Sequence, residues 1–274
     1  MHRVRVGAVD CVVVNDGDLA LPPEVLFPPA RRAEWPALSL DERGYYSFPI
    51  NCLLVWSAGQ TILIDAGNGN KPSNRWPGGG RLLEELAAAG VQPGDLDLVV
   101  LTHTHGDHVG WNTVLQDDRL VLTFPRARYV APRADWEHYT SPAIVERFAF
   151  VRDNLLPLRD SGKLELVDGE VDVTADVRML PAPGHTPGHC VVAVSSRGET
   201  AIHLGDLFHH RIQFEKPDLV RDQDDLPDLV PGSRGRIAAL ALERDALVLA
   251  AHDGHPGLGR LVRTDGAARF QPLG

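Results

Sequence analysis

Apolar residues in this chain gather into short runs with neither a helical nor a strictly alternating period, as in Leu98 to Leu101 and Val191 to Val194. Such runs predict strands buried on both faces, as in a sheet covered by further layers. Between the runs the spacing changes. Leu82, Leu83 and Leu86 predict a helix from Arg81 to Ala89, stopped by Gly90, and Pro142 to Asn154 and Arg234 to Asp245 are read as further helices. Strands and helices thus alternate, which puts the chain in the α/β class. Pro22 to Pro36 holds Leu26, Phe27 and Trp35 among five prolines and predicts an irregular arm instead of a helix.

Several of the strand-like runs end on a metal-ligating residue type. Leu98 to Leu101 leads into Thr102-His103-Thr104-His105-Gly106-Asp107-His108. In extended chain, residues two apart share a side, so His103 and His105 can converge on one ion. Asp107 and His108 follow where the chain turns toward a helix and can face a second. Val177 to Leu180 precedes a turn bearing His185, Ala201 to Leu204 precedes Asp206, and Leu247 to Ala251 ends on His252. A solvated polar loop would explain one histidine cluster but not this recurrence.

With Asp65 in Leu63-Ile64-Asp65-Ala66-Gly67, the pattern Asp, His-x-His-x-Asp-His, His, Asp, His resembles that of the metallo-β-lactamase fold superfamily of hydrolases, from about residue 45 to 260. The branch it is most similar to is that of the lactonases and organophosphate hydrolases. The resemblance implies an αββα sandwich, two mixed sheets flanked by helices, with metals where strands end. It implies that His103, His105 and His185 hold one divalent ion and Asp107, His108 and His252 a second, with Asp206 bridging. Imidazoles and carboxylates without thiolate suit zinc first, with iron, manganese or cobalt as alternatives. Asp65 is expected to orient a ligating histidine or to be a strand-end turn residue. His189 is read as a structural hydrogen-bonding group and His255 as a loop residue.

Two divalent cations offset by Asp107, Asp206 and a bridging hydroxide leave a cationic pocket suited to an oxyanion, and coordination brings the pKa of water toward ~7. The expectation is therefore hydrolysis of a lactone or related carboxylic ester by that hydroxide. Phosphotriester hydrolysis is the nearest alternative; a metal-binding sensor without turnover and an iron oxygen or sulfur chemistry are more distant ones. The resemblance gives Asp107 the proton for the leaving group. Lactonases of the superfamily carry a tyrosine three residues after the bridging Asp, where this chain has His209; His209 or His210 either donates to an oxyanion or packs beneath the metals. Phe27, Trp111, His210 and Gln213 are the candidate pocket residues. Gly78 to Gly80 is read as a flexible loop and Asp222 to Asp228 as a solvated excursion near the pocket mouth.

At 274 residues, with ligands spread from 103 to 252 and no linker-like tract between them, one domain is expected. Residues 1–44 form an extension that either covers the pocket or packs across a homodimer. Lys plus Arg number 27 against 37 Asp plus Glu, and the net charge of -10 argues against nucleic acid as a partner. Asp10 interrupts the early valines, and no stretch reaches the ~20 apolar residues of a membrane span. Cys11, Cys52 and Cys190 form no paired framework, consistent with a cytoplasmic protein acting on a small molecule.

Overall fold

A computed structural model describes residues 1–73, 78–264 and 266–273. Along the chain come β1 (His2–Val6), β2 (Val9–Leu21), β3 (Tyr46–Ser57), β4 (Gln60–Ile64), α1 (Leu82–Ala88), β5 (Leu98–Val100) and α2 (Gly106–Val109). Next are β6 (Thr113–Gln116), β7 (Arg119–Leu122), β8 (Arg128–Pro132), α3 (Arg133–Tyr139), α4 (Pro142–Arg147), α5 (Ala149–Asn154), α6 (Leu156–Asp160) and β9 (Leu164–Val167). The second half contains β10 (Val171–Asp172), β11 (Val177–Pro181), β12 (Cys190–Ser196), β13 (Glu199–His203), α7 (Ile212–Glu215), α8 (Val230–Glu243), β14 (Leu247–Leu249), β15 (Leu258–Thr264) and β16 (Ala267–Pro272).

These strands build two seven-stranded mixed sheets, β1-β2-β3-β4-β5-β8-β9 and β10-β11-β12-β13-β14-β15-β16, with β6 and β7 pairing apart. In the first sheet β4, β5, β8 and β9 run parallel; in the second only β13 and β14 do. One apolar cluster joins Val13, Leu53, Ile62 and Leu98 of the first sheet to Met179, Val192 and Leu249 of the second, so the sheets face each other across a shared core. The outer face of the first sheet is covered by α1, α3 and α5 through Leu82, Leu86, Trp136 and Val151. That of the second is covered by α8 through Ile237 and Ala241. The order is αββα. Burying both faces explains why the strand sequences lack alternation.

Two helices differ from the sequence expectation. Pro142 to Asn154 breaks at Phe148, whose φ of -120° and ψ of 109° are extended. Residues two apart cannot share a face of a continuous helix, and the break lets Phe148 and Phe150 line the same cavity. The helix read from Arg234 begins at Val230, because Pro231 in the first turn forfeits only an N–H that has no helical partner anyway. The arm after Pro22 is irregular as expected, with short 3-10 turns at Pro23–Val25 and Pro29–Glu34. No described helix is long and apolar enough to cross a membrane.

Candidate metal centre

The parallel strands bring their carboxyl ends to one edge of the sandwich, and the loops leaving those ends carry the polar cluster. Asp65 follows β4, His103 and His105 follow β5, Asp206 follows β13, and His252 follows β14. Asp107 and His108 sit in α2, one short turn past the β5 end. The turn after β11 adds His185, and Asp135 clamps it to the first motif. Its carboxylate accepts from Thr104 N–H at 3.0 Å, Thr186 Oγ1 at 2.9 Å and Gly188 N–H at 2.5 Å.

Two groups result: His103, His105, His185 and Asp206, and Asp107, His108, Asp206 and His252, each with ligand atoms within 4.8 Å of one another. Asp206 belongs to both. Its Oδ2 is 3.1 Å from His185 Nε2, and its Oδ1 is 2.8 Å from both His108 Nε2 and His252 Nε2. Inside the first group His105 Nδ1 lies 3.2 Å from His103 Nε2 and 2.9 Å from His185 Nε2; in the second His108 Nε2 lies 3.2 Å from His252 Nε2.

The outward nitrogens decide what those inward ones are. His185 Nδ1 donates to Asp224 Oδ1 at 2.7 Å, His108 Nδ1 to Asp65 Oδ2 at 2.8 Å, and His252 Nδ1 to the Pro49 carbonyl at 2.8 Å. The Thr102 hydroxyl donates to Asp65 at 2.8 Å, so it accepts from His103 Nδ1 at 3.0 Å. Likewise the Tyr139 hydroxyl donates to Asp225 at 3.0 Å and accepts from His105 Nε2 at 2.5 Å. In the neutral form, with a proton on each outer nitrogen, the five rings turn lone pairs toward two common points. At His108 and His185 burial opposes charge, but Asp206 outweighs it and raises both pKa values, so the site favours positive charge between these nitrogens and the carboxylate. Facing lone pairs repel unless a cation lies between them, so this donor set fits a pair of metal ions. Burial and then His108 push His103 far down from 6.5, and burial and then His185 do the same for His105, favouring the neutral ligating form. Burial opposes ionisation of Asp206, but positive charge on the surrounding imidazoles, His108 foremost, outweighs it and holds the carboxyl well below its usual range.

Asp65 accepts hydrogen bonds from Thr102 and His108 from a left-handed backbone conformation of φ 61°. His189 accepts the Asp206 N–H at 3.0 Å and donates to the Ala182 carbonyl at 3.2 Å. His255 meets Asn51 at 2.8 Å. The tract Asp222 to Asp228 is exposed at the cavity mouth, with Gln223 and Asp225 facing the cavity, and departs from a solvated excursion only at Asp224, which is buried against His185. Gly80 also departs from a flexible loop, since its N–H and that of Leu82 donate to the buried Asp16 at 3.1 and 2.7 Å.

A cavity of about 710 Å³ opens onto the cluster. Leu19, Leu21, Val25 and Phe48 form one apolar wall and Ile144, Phe148 and Phe150 another; His105, Asp107, Asp206 and Arg221 lie on the side of the histidine and aspartate cluster. The four expected pocket residues lie behind these walls, each with its polar atom spent internally or its ring packed. Phe27 packs tilted against Trp35 and edge-on to His210 as an anchor of its own arm. Trp111 Nε1 donates to Asp16 at 2.8 Å. Gln213 Oε1 accepts from the His209 and His210 N–H groups at 2.7 and 3.2 Å, and His210 Nδ1 accepts from Ile212 N–H at 3.1 Å. His209 is fully buried, 3.1 Å from Asp206 and touching Arg221. Asp16, Asp135, Tyr139, Arg221 and Asp224 escaped the sequence reading, having no short-range signal beyond the acidic density around 224.

A model of the metallo-beta-lactamase superfamily matches residues 45–252. A Mycobacterium bovis protein named "Probable metallo-hydrolase" is 29% identical over 204 residues, 67% of this chain and 61% of the relative. An N-acyl homoserine lactonase of Bacillus thuringiensis is 23% identical over 174 residues, 63% of this chain and 62% of the relative. The chain thus spans about three fifths of the length of these curated relatives. Among solved structures, the dizinc quorum-quenching lactonase AidC in complex with a product superposes with a TM-score of 0.82 at 24% identity, over 99% of this chain and 97% of that one. The hydrolase AbOPH superposes with a TM-score of 0.84 at 22% identity, over 100% and 97%.

Proposed function

The chain belongs to the metallo-beta-lactamase superfamily, and on that premise we propose that it is a dinuclear metal-dependent hydrolase of a lactone or related carboxylic ester. The observation that carries the reading is the set of five imidazoles whose outer nitrogens are all committed as donors, leaving their inner lone pairs grouped around the shared Asp206. His103, His105 and His185 would hold one ion, Asp107, His108 and His252 the other, and Asp206 both. When bound, such ions supply Lewis acidity and a hydroxide nucleophile at neutral pH.

The chain's own residues supply the rest. Asp107 lies on the cavity side, with Oδ2 3.8 Å from both His108 and His252 Nε2, where it can carry a proton to the departing alkoxide. Tyr139, buried between His105 and Asp225, fixes the tautomer of a ligand; burial and then Asp225 keep its hydroxyl far above 10, so it stays a neutral donor. The apolar walls exclude water from the acyl or alkyl part of the ester, and the cavity volume suits a small organic molecule. Lactonases among the relatives and structural neighbours support the carbonyl substrate.

The test is a panel of lactones, aryl esters and phosphotriesters assayed on protein loaded with zinc, manganese or cobalt. Lactone or aryl ester turnover is expected. Turnover of phosphotriesters alone would replace the carbonyl reading, and no turnover of any class would remove the hydrolase.

A further inference from the structure

The position where lactonases of the superfamily carry their carbonyl-polarising tyrosine holds His209, and the geometry denies that ring the same task. His209 is fully buried, stacks at 24° with Phe48 and 11° with His252, and does not reach the cavity. Its Nε2 lies 3.1 Å from Asp206 Oδ2 and touches Arg221 Nη1. A guanidinium only donates and a carboxylate only accepts, so Nε2 stands between Arg221 and Asp206 and is committed to those two groups. Nδ1 is buried and has no partner among the described residues. Walled off from the cavity, His209 has no nitrogen to offer the substrate.

Arg221 does line the cavity, beside Asp206 and His105. Its backbone is held by a turn: the Arg221 N–H donates to Asp224 Oδ2 at 3.1 Å, and Asp224 Oδ1 is the acceptor that fixes His185. Its guanidinium is not within ion-pair distance of any carboxylate among the described residues, in contrast to Arg31, Arg133, Arg178 and Arg211. Its Nε is buried and unpartnered. A permanent positive charge beside lone pairs that hold cations opposes metal binding, and spare donors in a buried site cost free energy. Both costs are recovered when an oxyanion occupies the adjoining space.

We propose that Arg221 is the donor that stabilises the oxyanion during ester cleavage, with His209 behind it as a positioning residue. This rests on the ester-hydrolase reading. Addition of water to the carbonyl carbon forms one C–O bond and shifts the carbonyl π pair onto oxygen, where a guanidinium N–H donates a hydrogen bond without transferring its proton. Return of that pair breaks the bond to the alkoxide, which takes the proton lost by the water; ester and water give acid and alcohol, and no further reactant is needed.

The test uses zinc-loaded full-length chain with γ-decalactone as substrate and its ring-opened product, 4-hydroxydecanoate, as ligand. Arg221→Met should lower kcat about 100-fold with KM within about threefold, the signature of a donor felt mainly in the transition state. Metal content should not change, and Arg221→Lys should recover part of kcat by restoring the charge. In the wild type, 4-hydroxydecanoate should shift the ¹⁵Nε resonance of Arg221 while neutral 4-hydroxydecanamide leaves it in place; this measurement does not depend on the variants folding. A kcat for Arg221→Met within threefold of wild type, a kcat loss that tracks loss of zinc, or an unmoved Nε resonance would each overturn the assignment. Should the wild type cleave no ester, the functional reading fails by itself, and the resonance titration still decides whether Arg221 receives a carboxylate.

Discussion

Two buried carboxylates, Asp16 and Asp206, sit in the same molecule in opposite surroundings. Asp16 accepts from five N–H groups, those of Asn68, Gly69, Gly80, Leu82 and the Trp111 indole, at 2.7 to 3.1 Å. Every partner brings a proton. Asp16 therefore ties the β4 loop, the N-terminus of α1 and the segment after α2 into one joint, so tight that a Cβ on Gly67 would lie 2.6 Å from Oδ2. Asp206 is ringed by the inner nitrogens of His108, His185 and His252, which bring lone pairs. Burial raises the Asp16 pKa, whereas positive charge gathered on the imidazole side, overcoming burial, lowers that of Asp206. A carboxylate surrounded by protons makes a complete structural joint; one surrounded by lone pairs waits for cations.

The largest effect that can break this comparison is expected at Asp206. Asp206→Asn should remove at least one metal ion and cut activity by more than about 1,000-fold, beyond the loss of a single electrostatic donor, while the chain still folds. Retention of both ions, by elemental analysis, would make Asp206 a joint like Asp16. The mirror change, Asp16→Ala, should cost on the order of 4 kcal/mol in denaturant unfolding by stranding buried donors, with metal content unaltered.

Smaller effects sharpen the contrast. Asp224→Asn weakens the acceptor behind His185 and should reduce metal affinity by roughly 10- to 100-fold in competition with a chelator. Lys71 is a buried ammonium donating to the Gly110 and Thr113 carbonyls beside the Asp16 joint, its pKa brought down by burial to about 8 from 10.5. Between these values the unfolded chain binds a proton that the folded chain has released, so stability should rise with pH across that window. The rise attributable to Lys71, on the order of 1–2 kcal/mol, should vanish in Lys71→Met when unfolding is compared at pH 8 and pH 10.

What could be read from the chain alone follows the same division. His103, His105 and His108 share one short segment, and His185, Asp206 and His252 each terminate an apolar run, so local spacing is enough to group them. The buried strands were equally legible, because burial on both faces leaves a continuous apolar signature. Partners that depend on tertiary closure were not. Asp224 lies in a tract as acidic as any solvated loop, and it is buried only because the chain after α7 folds back, its Pro217 and Leu219 carbonyls accepting from the enclosed Arg234 guanidinium. Phe27 and Trp111 look like pocket aromatics in sequence, yet one anchors the arm and the other serves Asp16. The cavity walls come instead from Leu19 and Leu21 at the end of β2 and from the helix break at Phe148, neither of which has a sequence mark.

The central claim is that the lone pairs around Asp206 are seats for a pair of cations. Elemental analysis of the purified chain after reconstitution with zinc and removal of loosely bound metal tests it most directly. Two divalent ions per chain are predicted; fewer than one, unimproved by reconstitution, would contradict the account.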